Sequence, residues 1–200
     1  MRTKLDLVQR RMSESNAVRQ LVIERCSADL IEASQLISKA FREGNKLLLC
    51  GNGGSAADCQ HMAAEFVSRL TKEVERPALP AIALTTDTSF LTAFANDCGY
   101  DGVFKRQVEA LGVKGDVFLG ISTSGSSRNV LQAMVVAKER GLRCIALMGE
   151  AGLLKDLADV SIAVPSSHTQ YIQESHLSIE HLICELVERE LFSDAYERKL

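Results

Sequence analysis

Five short runs rich in β-branched and aliphatic residues recur along the chain: KLLLC at 46–50, AIAL at 81–84, DVFLGI at 116–121, RCIALM at 143–148 and VSIAV at 160–164. Between them lie longer stretches with helical periodicity, at about 54–70, 88–112 (broken near Gly99), 127–140 and 169–191. Strands that alternate with helices imply a parallel sheet covered on both faces, so the predicted fold is α/β, a doubly wound five-stranded parallel sheet flanked by helices. Ahead of the first strand, residues 1–43 carry Leu21, Val22, Leu30, Ile31, Leu36 and Ile37 at helical spacing and end at Gly44. That leader is expected to be a helix closed by a glycine cap, with a face free to pack against another subunit.

The 200 residues suit one domain, with 1–43 as leader and 44–191 as the α/β core; no linker, low-complexity segment or repeat divides them. Lys+Arg 23 against Asp+Glu 26 leaves a net charge of -3, which removes the basic surplus of a general nucleic-acid binder. No apolar run reaches the ~18 residues that span a bilayer, and the start MRTKLDLVQRR is charged where a secretion signal is apolar, so no membrane partner and a cytoplasmic location are expected. Six scattered cysteines without a C-x-x-C pair read as reduced, mostly buried thiols.

In doubly wound sheets ligands bind beyond the carboxyl ends of the strands, so the segments after each run carry the chemistry. After the first comes Gly51-Asn52-Gly53-Gly54-Ser55, a glycine-rich turn opening a helix, where backbone N–H groups can approach an anion or the glycines can simply serve a tight turn. After the third comes Ser122-Thr123-Ser124-Gly125-Ser126-Ser127. A helix N-cap needs one hydroxyl, and the surplus favours a phosphate. His61 and Glu65, four residues apart, share a helix face and suit either a surface ion pair or metal and proton chemistry. On the last helix, spacing alone does not separate Gln173 and His181 from Glu174, His176 and Glu180. Eight residues are about 12 Å of rise and a turn near 80°, so joint ligation from one straight helix is demanding. Thr85-Thr86-Asp87-Thr88 and Asn96-Asp97 fit sugar hydroxyls and helix caps equally well.

The segments GNGGSAADCQHMAAE, ALTTDTS, FANDCGYD, GDVFLGISTSGSSRNVLQA and IQESHLSIEHLICELVE resemble the sugar isomerase (SIS) domain family, and within it the branch that isomerises heptose phosphates, over about residues 44–190. The resemblance implies a flavodoxin-like three-layer sandwich and conversion of sedoheptulose 7-phosphate to D-glycero-D-manno-heptose 7-phosphate, an early step towards surface glycans such as lipopolysaccharide. It implies a homotetramer with shared active sites and one zinc ion per subunit. The catalytic pair would be Glu65 and His181, the metal ligands His61, Glu65, Gln173 and His181, and the substrate contacts Asn52, Gly53, Gly54, Glu65, Asn96, Asp97, Ser122, Thr123, Ser124, Ser127 and Gln173. One departure is His168-Thr169, where relatives commonly have Asp-Thr, so an acidic contact to sugar hydroxyls is missing or replaced. The alternative is a non-catalytic SIS scaffold resembling the DnaA-initiator-associating protein, which lacks the catalytic pair that Glu65 and His181 would form here.

Overall fold

Leucine at three successive positions after Lys46 suits a strand covered on both sides, and Leu47–Gly51, the first strand β1, is buried throughout. The structure, a computed structural model, describes residues 3–197. It contains β2 (Ala81–Ala83), β3 (Val117–Ser122), β4 (Arg143–Gly149) and β5 (Val160–Val164), all parallel, in the order β2-β1-β3-β4-β5. The predicted five-stranded doubly wound sheet is therefore present, with each strand placed to within about one residue of expectation.

Alternate side chains along each strand feed two separate cores, as the period of two requires. Leu47, Leu49, Leu119, Ile121 and Ile145 pack beneath helices α1 (Lys4–Arg42), α2 (Gly54–Val67) and α7 (Thr169–Leu191). Leu48, Cys50, Phe118, Ala146 and Met148 pack beneath α4 (Val103–Leu111), α5 (Arg128–Glu139) and the short α6 (Leu154–Leu157). The result is a three-layer sandwich.

The leader forms one 39-residue helix, α1. Its start is a capping box, in which the Asp6 N–H donates to Thr3 and the Thr3 N–H donates to Asp6. At its end Gly44 takes a φ of 79°, while the Gly44 and Asn45 N–H groups donate back to the Phe41 and Ala40 carbonyls, the Schellman arrangement. Val22, Cys26, Leu30, Ala33 and Ile37 are buried against this chain's own core, whereas Ile31 is half exposed. The leader thus packs intramolecularly over much of its length.

The stretch expected at 88–112 divides into α3 (Thr88–Cys98) and α4, separated by a 3-10 turn at Tyr100–Gly102. α2 stops at Val67, three residues short of expectation, and α6 and α8 (Ser193–Glu197) were not foreseen. Each of the last two spans about one turn, too short to leave a periodicity. On α7 the buried apolar residues are Tyr171, Ile172, Ile179, Ile183, Cys184 and Val187, and Leu177 and Leu182 face outward. All six cysteines are free and all but Cys98 are buried. Among the described residues, no helix is long and apolar enough to cross a membrane.

Candidate functional site

The strand order reverses between β1 and β3, which run side by side with Gly51 level with Ile121. Crevices form at such switch points because the two crossovers leave in opposite directions. The glycine turn after β1 and the serine loop after β3 meet here. Asn52 Nδ2 donates to Asn129 Oδ1 at 2.9 Å, and Asn129 Nδ2 donates to Asn52 Oδ1 at 2.8 Å, which ties the two loops together. The Tyr100 hydroxyl donates to the same Asn52 oxygen at 3.1 Å. Asn129 and Tyr100 lie within the quoted segments GDVFLGISTSGSSRNVLQA and FANDCGYD, but neither was singled out as a site residue.

The serine loop separates the capping and anion-binding readings. Ser127 is the N-cap residue of α5, yet its side chain makes no capping bond. Its hydroxyl instead faces Ser122 Oγ at 2.9 Å, and Ser122 Oγ lies 3.4 Å from Ser124 Oγ. α2 likewise starts at Gly53 without a side-chain cap. Two helix starts, with the partial positive charge they carry, are thus free of side-chain caps at one crevice. Beside the serine loop is a cavity of about 310 Å³ lined by Thr123, Ser124, Glu150, Ser166, Ser167 and Thr169. A second, of about 410 Å³, shares Ser166 and is bounded by Arg10, Arg11, Glu14 and His168. His168 therefore stands between α1 and the start of α7, its ring 5.5 Å from that of Tyr171. Two cavities flanking α4, of about 400 and 680 Å³, share no residue with the serine loop.

The third component comes from the packing of α2 against α7. His61 and Glu65 lie one turn apart on α2, and α7 brings His181 to them. The two imidazoles face each other Nε2 to Nε2 at 2.7 Å, and Glu65 Oε1 is 3.9 Å from His61 Nε2. Each of the three residues offers a ligand atom within 4.8 Å of the others. Glu65 Oε2 is buried without a hydrogen-bond partner. An orphaned carboxylate oxygen beside two converging imidazole nitrogens suits a divalent cation that accepts nitrogen and oxygen ligands. The bland ion-pair reading of His61 and Glu65 does not account for His181.

Gln173 lies elsewhere along the same pair of helices. Its amide is pressed against Gly54, where an added Cβ would stand 2.3 Å from Gln173 Nε2. It thus covers the glycine turn. Asp87 caps α3, accepting from the Phe90 N–H at 2.9 Å, so the capping reading holds there. Asn96 and Asp97 are exposed near the end of α3, with Asn96 Nδ2 donating to Asp97 Oδ1 at 2.9 Å.

The core-facing side of α7, behind His181, is dry. Glu180 and His176, which spacing could not separate from Gln173 and His181, are 1% and 0% exposed. Burial, reinforced by the charge of Asp58, pushes Glu180 up to about 9. Burial pulls His176 down to about 4. Asp58 is raised as well, by burial, with His61 partly offsetting it. At neutral pH the buried carboxyl and imidazole of α7 are therefore uncharged behind the exposed His181.

A family model described as the SIS domain matches residues 12–149, starting within α1. The phosphoheptose isomerase of Chlorobaculum tepidum is 50% identical over 186 residues, covering 92% of this chain and 89% of its own. That of Geobacter sulfurreducens is 54% identical over 160 residues, covering 80% and 84%. Among solved structures, a phosphoheptose isomerase from Neisseria gonorrhoeae superposes with a TM-score of 0.85 at 42% identity, covering 93% of this chain and 99% of its own. One from Francisella tularensis gives 0.89 at 33% identity, covering 94% and 100%.

Proposed function

The chain belongs to the SIS-domain family and, within it, to the phosphoheptose isomerases; on that premise we propose that it interconverts sedoheptulose 7-phosphate and D-glycero-D-manno-heptose 7-phosphate through an enediol. The observation that carries the proposal is the convergence of Glu65 and His181 from two helices, in a chain that also leaves two helix starts free of side-chain caps at the crevice between β1 and β3.

The substrate's two ends make different demands. Its phosphate needs donors without a permanent counter-charge, which the hydroxyls of Ser122, Thr123, Ser124 and Ser127 and the start of α5 supply. Asn52, Gly53, Gly54, Asn96 and Asp97 are assigned to the sugar, and Gln173 to the turn that faces it. At the other end Glu65 removes a proton from C1, the C1–H electrons form the C1=C2 bond, and the C2 oxygen takes a proton from His181. Glu65 then returns a proton to C2, while the C1 hydroxyl gives its proton to the imidazole and becomes the aldehyde oxygen. His61, Glu65 and His181, with Gln173 assigned as a fourth ligand, would hold zinc, which supplies Lewis-acid polarisation of the substrate oxygens when bound.

Residues 1–200 are read as one such domain, assembled as a homotetramer with shared sites, acting in the cytoplasm and supplying heptose for surface glycans. A scaffold role would leave the carboxylate–imidazole pair without purpose. Incubating the purified protein with sedoheptulose 7-phosphate and following aldose formation by NMR tests the assignment. Glu65→Gln should keep the fold and lose about 10²- to 10⁴-fold in turnover, the usual contribution of a positioned base. Near-normal turnover by that variant would remove Glu65 from the mechanism.

A further inference from the structure

Arg76 lies in the loop between α2 and β2, and its side chain is fully buried, paired with an equally buried Glu188 on α7. Neither residue touches the crevice or belongs to the assignments above. Arg76 Nε donates to Glu188 Oε1 at 2.7 Å. Its Nη2 donates to the Glu65 carbonyl at 2.7 Å, and its Nη1 donates to the Phe66 and Pro77 carbonyls at 2.8 and 2.9 Å. Glu188 also accepts from the Leu70 N–H and the Tyr196 hydroxyl, at 3.2 and 2.9 Å.

The position of this cluster explains why the charges are there. α2 ends at Val67, so Glu65 stands on its last turn, where carbonyls lack helical partners and backbones fray. The Ser68 N–H takes the Ala64 carbonyl, and the next two carbonyls, including that of Glu65 itself, are taken by Arg76. The guanidinium also lies at the negative end of the helix dipole. Its partner Glu188 is seven residues beyond His181, two turns along nearly the same face of α7. One planar fork thus grips the backbone of the carboxylate-bearing residue and, through Glu188, the helix that carries the imidazole.

We propose that Arg76 and Glu188 are positioning residues: a buried clamp that sets Glu65 against His181, and so fixes the donor set offered to a divalent cation. This rests on the reading of Glu65 and His181 as the working groups, and the test separates the two ideas. Arg76→Lys keeps the charge but loses the fork. Glu188→Gln keeps the shape and loses the charge. Ile37→Val, in the buried face of α1, serves as a control that lowers stability without removing a clamp hydrogen bond.

Each protein would be titrated with Co²⁺, followed by its visible absorption, and assayed for kcat and KM well below its melting temperature. The clamp variants should bind Co²⁺ about 10- to 100-fold more weakly, the usual scale for residues that orient ligands, and lose a similar factor in kcat. KM should change by less than about threefold, because Ser122 and Ser124 on the β3 side are untouched. Clamp variants that match Ile37→Val in Co²⁺ affinity and kcat would reduce the pair to a structural role and overturn the proposal. If Arg76→Lys fails to fold, Glu188→Gln carries the test. Should the wild type not act on sedoheptulose 7-phosphate, the functional assignment fails while the Co²⁺ titration still decides the clamp. A wild type that neither binds Co²⁺ nor turns over rejects both.

Discussion

Gly54→Ala should separate stability from activity. The added Cβ would stand 2.3 Å from Gln173 Nε2, whereas ordinary contact begins at 3.4 Å, so the amide must retreat by about 1.1 Å. The obstructing atom ends a flexible side chain, and moving it off its rotamer costs about 0.5–1.5 kcal/mol. Alanine in place of glycine at a helical position returns up to about 1 kcal/mol. The net change is within about 1 kcal/mol, a melting-temperature shift of about 2–4 °C for a chain of this size. A displacement near 1 Å at a group that positions substrate or metal can cost about a hundredfold, so kcat/KM should fall about 10- to 100-fold. Thermal unfolding by circular dichroism and initial rates with sedoheptulose 7-phosphate measure the two quantities. Gly53→Ala provides the contrast, since nothing lies within 4 Å of its Cβ but its φ is +57°, and that strain should cost about 1–3 kcal/mol of stability. Gly54→Ala with wild-type kcat/KM would show that Gln173 has no part in the reaction.

Three further outcomes are expected. Replacing Ser122 and Ser124 together by Ala should raise KM about tenfold or more with a small change in melting temperature, because the hydroxyls bond within the loop, Ser122 chiefly with Ser127 Oγ and Ser124 with the Ser126 N–H, and not to the core; an unchanged KM would count against the phosphate cradle. Protein purified without chelator should carry about one zinc per chain by elemental analysis, and neither zinc nor a gain in activity on adding it would reject a catalytic ion. The third concerns pH. Glu180 titrates near 9 in the folded chain against an ordinary 4.5, so between those values only the folded state holds the proton and stability falls as pH rises. His176 titrates near 4 against 6.5, so between those values the unfolded state holds the proton and stability rises with pH. The slopes oppose one another up to about 6.5, and above that only the Glu180 slope remains. Urea unfolding of metal-free protein should therefore show Glu180→Gln gaining roughly 2–3 kcal/mol on wild type between about pH 6 and 8. An equal offset at both values would mean that Glu180 is ionised in the fold.

The strands could be read so closely because each is a short apolar run bounded by turn residues, a purely local signal. Helix ends were less legible. α2 stops at Val67 because Arg76 and the Ser68 N–H take its last carbonyls, a contact between residues up to eleven apart that no periodicity encodes. Glu180 and His181 show the same limit on one helix. Adjacent in sequence, they differ from 1% exposed to open only because one side of α7 lies on the core.

The chain's own order of residues determined the alternation of strand and helix, the glycine and serine loops after β1 and β3, and the i,i+4 placement of His61 and Glu65, since these depend on neighbours a few positions away. The partner for that pair was decided only by folding, which docks α7 on α2 and brings His181 across 120 residues to within 2.7 Å of His61. Strand order did the same for the loops, placing β1 beside β3 so that Asn52 meets Asn129. Long-range packing selects which polar groups meet because the cost of leaving one buried and unpaired depends on what the rest of the chain brings to it.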